Sequence, residues 1–210
     1  MIFDLDAALI DSRKAWQYAV EEAIAAICGR RIDVGPLVRE YHRRPWIHVL
    51  TLLLPDRAER ERCETVCIEI SRRSGLKKLL VHEEIGMALD SLRAGSIEIG
   101  AITRHQHSLA LKQAQSTGLD RFVAVLAATP VNEPYDPAAR LDQCTAFLGR
   151  SSTDCAFVSA DTEEGRCAAA AGFRVLFPAW VAEPPPGVHT IGSPNQILAA
   201  LLNRETPQAT

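Results

Sequence analysis

Two carboxylates one residue apart, Asp4 and Asp6, close the short apolar run Met1-Ile2-Phe3. Alternate side chains of a strand share a face, so both acids can line one crevice where the strand begins to turn. Such a pair can divide the labour of a group transfer. One carboxylate attacks or holds a cation while the other gives and takes protons. A strand running into an Asp-rich turn has the same pattern and no chemistry. The residues that the rest of the chain places beside the pair decide between these readings. Two candidates stand out, Thr103 at the end of Ile99-Gly-Ala-Ile-Thr103 and Asp161 after Phe157-Val-Ser-Ala160.

The elements that must position these residues are legible from periodicity. Ala15, Ala19, Val20, Ala23, Ile24 and Ile27 recur at helical spacing and predict a helix over 13–28, stopped by Gly29. Further helices are expected near 36–42, 45–54 and 56–74. Residues 13–80 therefore read as an all-helical block. Beyond it the pattern alternates. Helices are expected at 84–94, 108–117, 137–148, 165–171 and 194–202, and strands at 97–103, 122–127, 156–159 and 173–177. Such alternation implies an α/β fold, a Rossmann-like three-layer core with a parallel sheet covered on both faces. The expected organisation is a core of residues 1–12 and 81–210, with a helical cap of residues 13–80 inserted after the first strand. Ligands of such sheets bind beyond the carboxyl ends of the strands. Asp4, Asp6, Thr103 and Asp161 all fall at predicted strand ends of that kind.

The opening stretch resembles the first motif of the haloacid dehalogenase (HAD) superfamily, hhhhDxDGTLxDS. Asp4, Asp6, Leu9, Asp11 and Ser12 match it, while Ala7 and Ala8 stand where the family has Gly and Thr. Thr103 is similarly placed to the second-motif hydroxyl. The segment from Phe157 through Asp161-Thr162-Glu163-Glu164-Gly165 to Gly172 resembles the fourth motif, in the form used by the β-phosphoglucomutase/phosphoglycolate phosphatase-like branch of subfamily I. Ala160 replaces that branch's Glu. The resemblance covers nearly the whole chain.

It implies a phosphatase acting on a small phosphorylated metabolite through an aspartyl-phosphate. In that scheme Asp4 is the nucleophile and Asp6 the acid and base. Mg²⁺ sits on Asp4, the Asp6 carbonyl and Asp161, and Thr103 holds a phosphoryl oxygen. The third motif departs. Its segment is Asn132-Glu133-Pro134-Tyr135-Asp136-Pro137, with Glu133 where the family carries a phosphate-binding Lys. Arg104, directly after Thr103, is the best local replacement, and Arg140 the second. The position of the cap loop, near 41–46, implies substrate recognition by Arg43, Arg44 and His48. The four departures, Ala7, Ala8, Glu133 and Ala160, support a different class of function, a catalytically weak or inactive protein that binds a ligand or partner.

Composition excludes several partners. The 210 residues carry a net charge of −3, with no polyelectrolyte patch for nucleic acid. No apolar run approaches the roughly 18 residues of a membrane helix, and no basic segment followed by an apolar stretch marks secretion. Six cysteines lack CxxC spacing and read as reduced structural thiols of a cytoplasmic protein. Cys63 and Cys67, four apart, are expected on one helix face. A monomer or homodimer is expected. His105 and His107 read as solvent-exposed loop residues rather than a metal pair.

Overall fold

The computed structural model describes residues 1–39 and 46–202, apart from the side chains of 39 and 46–49. It divides into two compact units, Met1–Ile10 with Val81–Thr210, and Asp11–Leu80.

The first unit is built on six parallel strands in the order β5-β4-β1-β6-β7-β8. These are β1 (Ile2–Asp4), β4 (Gly100–Gln106), β5 (Val125–Thr129), β6 (Ala156–Val158), β7 (Arg174–Pro178) and β8 (Thr190–Ile191). Central β1 pairs with β4 through Ile2–Gly100, Phe3–Ala101 and Asp4–Ile102, and with β6 through Ile2–Phe157 and Phe3–Val158. All its residues are buried, as expected of a strand covered on both faces. Helices α5 (Ile85–Ala94), α6 (His107–Thr117), α7 (Pro137–Leu148), α8 (Thr162–Ala170) and α9 (Ile197–Leu202) complete the α/β core. Ile2, Ile102, Leu141, Cys144, Phe157 and Ala168 form one part of its interior.

Close packing in that interior explains Gly100. A Cβ there would collide with Cys144 Sγ and press to 3.2 Å from Leu148 Cδ1. Overpacking of this kind costs about 1–3 kcal/mol. Gly100→Ala is therefore expected to lower the melting temperature, and Cys144→Ala in the same chain to recover most of the loss. Equal melting of Gly100→Ala and wild type would contradict this packing.

The second unit is helical, with α1 (Arg13–Cys28), α2 (Gly35–Arg39), α3 (Trp46–Leu53) and α4 (Arg57–Arg73). Ala19, Val20, Ala23 and Ile24 of α1 share a core with Leu50, Leu54, Cys63 and Cys67. Both cysteines of α4 share one face, as their spacing predicted, and that face is buried, which pushes their thiols up to about 11 and about 12. All six cysteines are free. Two-residue strands β2 (Ile10–Asp11) and β3 (Leu80–Val81) pair where the chain passes between units. Among the described residues, no helix is long and apolar enough to cross a membrane.

Several sequence expectations shift. The predicted strand at 97–103 becomes β4 at Gly100–Gln106, because Ser96 turns with φ 57° and Ile97–Ile99 lead into the sheet. The strand expected at 122–127 becomes β5 at Val125–Thr129. The helix expected at 165–171 begins at Thr162, capped by Asp161.

Candidate functional site

The carboxyl ends of β1, β4 and β6 bring together five of the side chains singled out in the sequence, Asp4, Asp6, Thr103, Arg104 and Asp161. Asp4 ends β1, and its carboxylate accepts the Asp6 N–H at 2.9 Å. The chain then makes one wide turn, Leu5–Leu9, closed by the Ile10 N–H on the Leu5 carbonyl. Turns of this i→i+5 type concentrate at functional sites. Side chains from later in the chain hold its free carbonyls. His82 Nε2 donates to Ala7 O at 2.8 Å and Trp180 Nε1 to Ala8 O at 3.3 Å. Its Ala7 packs with Ala160 and Phe177.

Strand β4 presents Thr103 and Arg104 through an irregularity. Its pairing with β5 runs Gly100–Val125 to Thr103–Ala128, then jumps to Gln106–Thr129. Arg104 and His105 are thus extra residues on β4, and bulges of this kind re-aim side chains. The fully buried Thr103 hydroxyl donates to Asp6 Oδ2 at 2.7 Å and accepts the His105 N–H at 3.1 Å. His105 was expected in solvent. Its ring instead reaches Asp6, with Nε2 3.4 Å from Oδ1, while His107 is exposed at the start of α6.

Arg104 turns toward β6. Its Nη2 donates to Asp161 Oδ2 at 3.1 Å and to Glu164 Oε1 at 3.0 Å, and its guanidinium lies 5.1 Å from the Tyr135 ring centre. Asp161 Oδ1 is occupied as well, accepting the Glu163 and Glu164 N–H groups at the start of α8. Glu164, 2% exposed, also accepts from Tyr135 Oη at 2.6 Å and Ser159 Oγ at 2.8 Å.

Four carboxylates therefore surround one cation. Burial, then Glu164 and Asp6, raise the Asp4 carboxyl well above its ordinary range, against the pull of Arg104 and the Asp6 N–H. Burial raises Glu164 too, while Tyr135, Arg104 and Ser159 hold it down. Burial weakens the Arg104 charge, but Glu164, Asp4, Asp6 and Asp161 more than reverse this and keep the guanidinium protonated.

Glu133, at the family's lysine position, is exposed. Arg140 is committed elsewhere, donating to Ala128 O and Gln143 Oε1. Arg43 and Arg44 lie outside the described residues, as does the side chain of His48. Glu164, Tyr135, Ser159 and His105 were not singled out as site residues from the sequence. Ser159 and Glu164 lie inside the segment that resembles the fourth motif and Tyr135 inside the third-motif segment that departs from it, but a motif does not say which of its variable positions points inward.

The donor set suits a hard cation, since oxygen ligands are what Mg²⁺ prefers and negative charge exceeds positive here. The side chains as they stand do not converge on one ion. Among the described residues no three His, Cys, Asp or Glu groups form a metal cluster. Asp161 is divided between Arg104, on Oδ2, and the start of α8, on Oδ1.

No family model and no curated protein matches the chain. Solved structures do. A HAD-superfamily subfamily IA hydrolase from Geobacter sulfurreducens superposes with a TM-score of 0.78 at 20% identity, over 95% of this chain and 94% of that one. A predicted phosphoglycolate phosphatase from Haemophilus somnus gives 0.74 at 14%, over 95% and 96%. Protein Tyrosine Kinase A from Mycobacterium tuberculosis gives 0.78 at 18%, over 95% and 96%. The fold is that of HAD hydrolases. A kinase among the similar chains illustrates that one fold carries more than one chemistry.

Proposed function

We propose that this chain is a HAD-like phosphohydrolase that uses Asp4 as nucleophile on a small phosphorylated metabolite, with Mg²⁺ as cofactor. The observation that carries the reading is the placement of Asp4 and Asp6 on one turn at the sheet's carboxyl edge, with the Thr103 hydroxyl fixed on Asp6 at 2.7 Å. An Asp4 oxygen attacks phosphorus while the bond to the leaving oxygen breaks and Asp6 gives that oxygen its proton. Asp6 then takes a proton from water, whose oxygen attacks the aspartyl-phosphate. That releases inorganic phosphate and restores Asp4. Thr103 fixes Oδ2 of Asp6 by a hydrogen bond, and the His105 ring stands 3.4 Å from Oδ1, so the carboxyl is oriented for both transfers. Mg²⁺ held by Asp4, the Asp6 carbonyl and Asp161 would screen the repulsion between Asp4 and the phosphate. The Arg104 guanidinium supplies positive charge in place of the absent lysine.

The test needs no knowledge of the substrate. Fluoroberyllate mimics the phosphoryl group on aspartate, and fluorine NMR with added Mg²⁺ is expected to show a bound signal. A folded wild-type protein without that signal would refute the proposal. It would favour a non-catalytic ligand- or partner-binding role, which the engagement of Asp161 by Arg104 also supports.

A further inference from the structure

We propose that Arg104 is the resident counter-ion of this site, that a divalent cation must displace it from Asp161, and that Glu164, Tyr135 and Ser159 are the positioning residues that hold it there. The inference rests on the assignment of Asp161 as a metal ligand in the proposed function.

Two features of Asp161 make Arg104 and a metal competitors. Its Oδ1 satisfies two N–H groups of α8, so a metal bound there would expose both. Its Oδ2 accepts from Arg104 Nη2 at 3.1 Å. A cation on that oxygen would stand against a guanidinium at contact distance, in a half-buried place where like charges repel strongly. The metal can bind well only if the guanidinium withdraws.

Arg104 is not a casual surface ion pair. The double insertion in β4 aims it at Asp161 and Glu164, and its guanidinium carbon stands over the Tyr135 ring. Glu164 is held rigid by three donors, one of which is Arg104 itself. Ser159 ties the two acids together, donating to Glu164 and accepting the Asp161 N–H at 3.0 Å. All the donation from Arg104 runs through Nη2, which leaves Nε and Nη1 without protein acceptors among the described residues. On leaving Asp161 it can keep its bond to Glu164 and offer those nitrogens to an oxyanion as a planar fork. The bond to Glu164 therefore acts as a pivot, and the bond to Asp161 is the one that a metal breaks.

The test is Mg²⁺ affinity of the whole protein, read by calorimetry without any substrate. Arg104→Gln removes the competing charge and is expected to bind Mg²⁺ about tenfold more tightly or better. Arg104→Lys keeps the charge and is expected to stay near the wild type. Affinity of Arg104→Gln no tighter than the wild type would overturn the proposal, as would the absence of Mg²⁺ binding in both. A second measurement uses the unaltered protein. The Arg104 Nε–H resonance is expected to shift with the same midpoint as Mg²⁺ binding, and a resonance that stays fixed at saturation would overturn the proposal even if the variants fail to fold. Failure of the hydrolase reading looks different. Tighter Mg²⁺ binding by Arg104→Gln with no fluoroberyllate capture by the wild type supports the counter-ion role and removes the phosphoryl chemistry.

Discussion

Asp4→Asn is expected to lose phosphoryl chemistry and gain stability in the same step. The amide cannot attack phosphorus, so fluoroberyllate capture should vanish and any turnover should fall by roughly 10⁴-fold or more, as for other nucleophile deletions. The structural consequence runs the other way. Asp4 is 3% exposed, and among the described residues its carboxylate accepts one hydrogen bond, from the Asp6 N–H. An Asn side-chain oxygen can keep that bond. The lost negative charge had stood beside Glu164 and Asp6. Removing such strain at a site commonly yields about 1–2 kcal/mol, which for a chain of this size raises the melting temperature by about 3–6 °C.

The pH dependence gives this expectation a sign. The folded protein holds the Asp4 proton more tightly than the unfolded chain does, because its carboxyl is raised from an ordinary 3.8. Over that range the folded state binds more protons, so stability falls as pH rises from the unfolded value through the folded one. Asp4→Asn escapes the loss. Its advantage over wild type should be near zero below about pH 4 and grow toward neutrality. Thermal melts of both proteins across this range are the check. An advantage that stays constant or shrinks on going to neutral pH would mean that Asp4 carries no charge penalty.

Where the sequence states its own boundaries, the fold was readable. Helices α1 and α7 lie where periodicity placed them because Gly29 and Gly149 both end them in the left-handed region, and Pro137 opens α7 behind its cap Asp136. The order of strands and helices followed from the same logic. The positions of Asp4, Asp6, Thr103 and Asp161 followed from the rule that α/β sheets bind ligands at one edge. The electrostatic partners were much less visible. A register jump in β4 depends on pairing with β5, so no local pattern announces that Arg104 and His105 leave the ladder. The sequence suggested Arg104 as a substitute for the lysine, but not that Asp161 would already hold it. Glu163 and Glu164 look equivalent in sequence. Only the start of α8, three residues earlier than periodicity suggested, turns Glu164 into the core and Glu163 outward.

Glu164→Ala should cost about twice what Asp4→Asn gains, although both remove a buried carboxylate. The difference lies in how completely each is solvated by the protein. Glu164 receives three donors, from Tyr135, Ser159 and Arg104, at 2.6, 2.8 and 3.0 Å. Its removal leaves the Tyr135 hydroxyl and the Ser159 hydroxyl without their acceptor and strips Arg104 of its better-buried partner. Orphaned buried groups cost about 1–3 kcal/mol apiece when water cannot reach them. Tyr135 and Arg104 are partly exposed and can recover some solvation, so a total of about 2–4 kcal/mol is expected, or a drop in melting temperature of about 6–12 °C. Glu164→Gln retains an acceptor of the same shape and should lose about half as much or less. Denaturant titrations of the two variants, with tyrosine absorbance reporting the Tyr135 environment, make the comparison. Equal losses for Ala and Gln would mean that charge, and not the three-way hydrogen bonding, holds the cluster. A loss for Ala no larger than that of an average surface substitution would show that Glu164 anchors nothing. The expected ordering ties stability to the proposed chemistry. The residue that anchors this cluster is also the pivot of Arg104, so its loss removes the partner to which the guanidinium retreats when a metal takes Asp161.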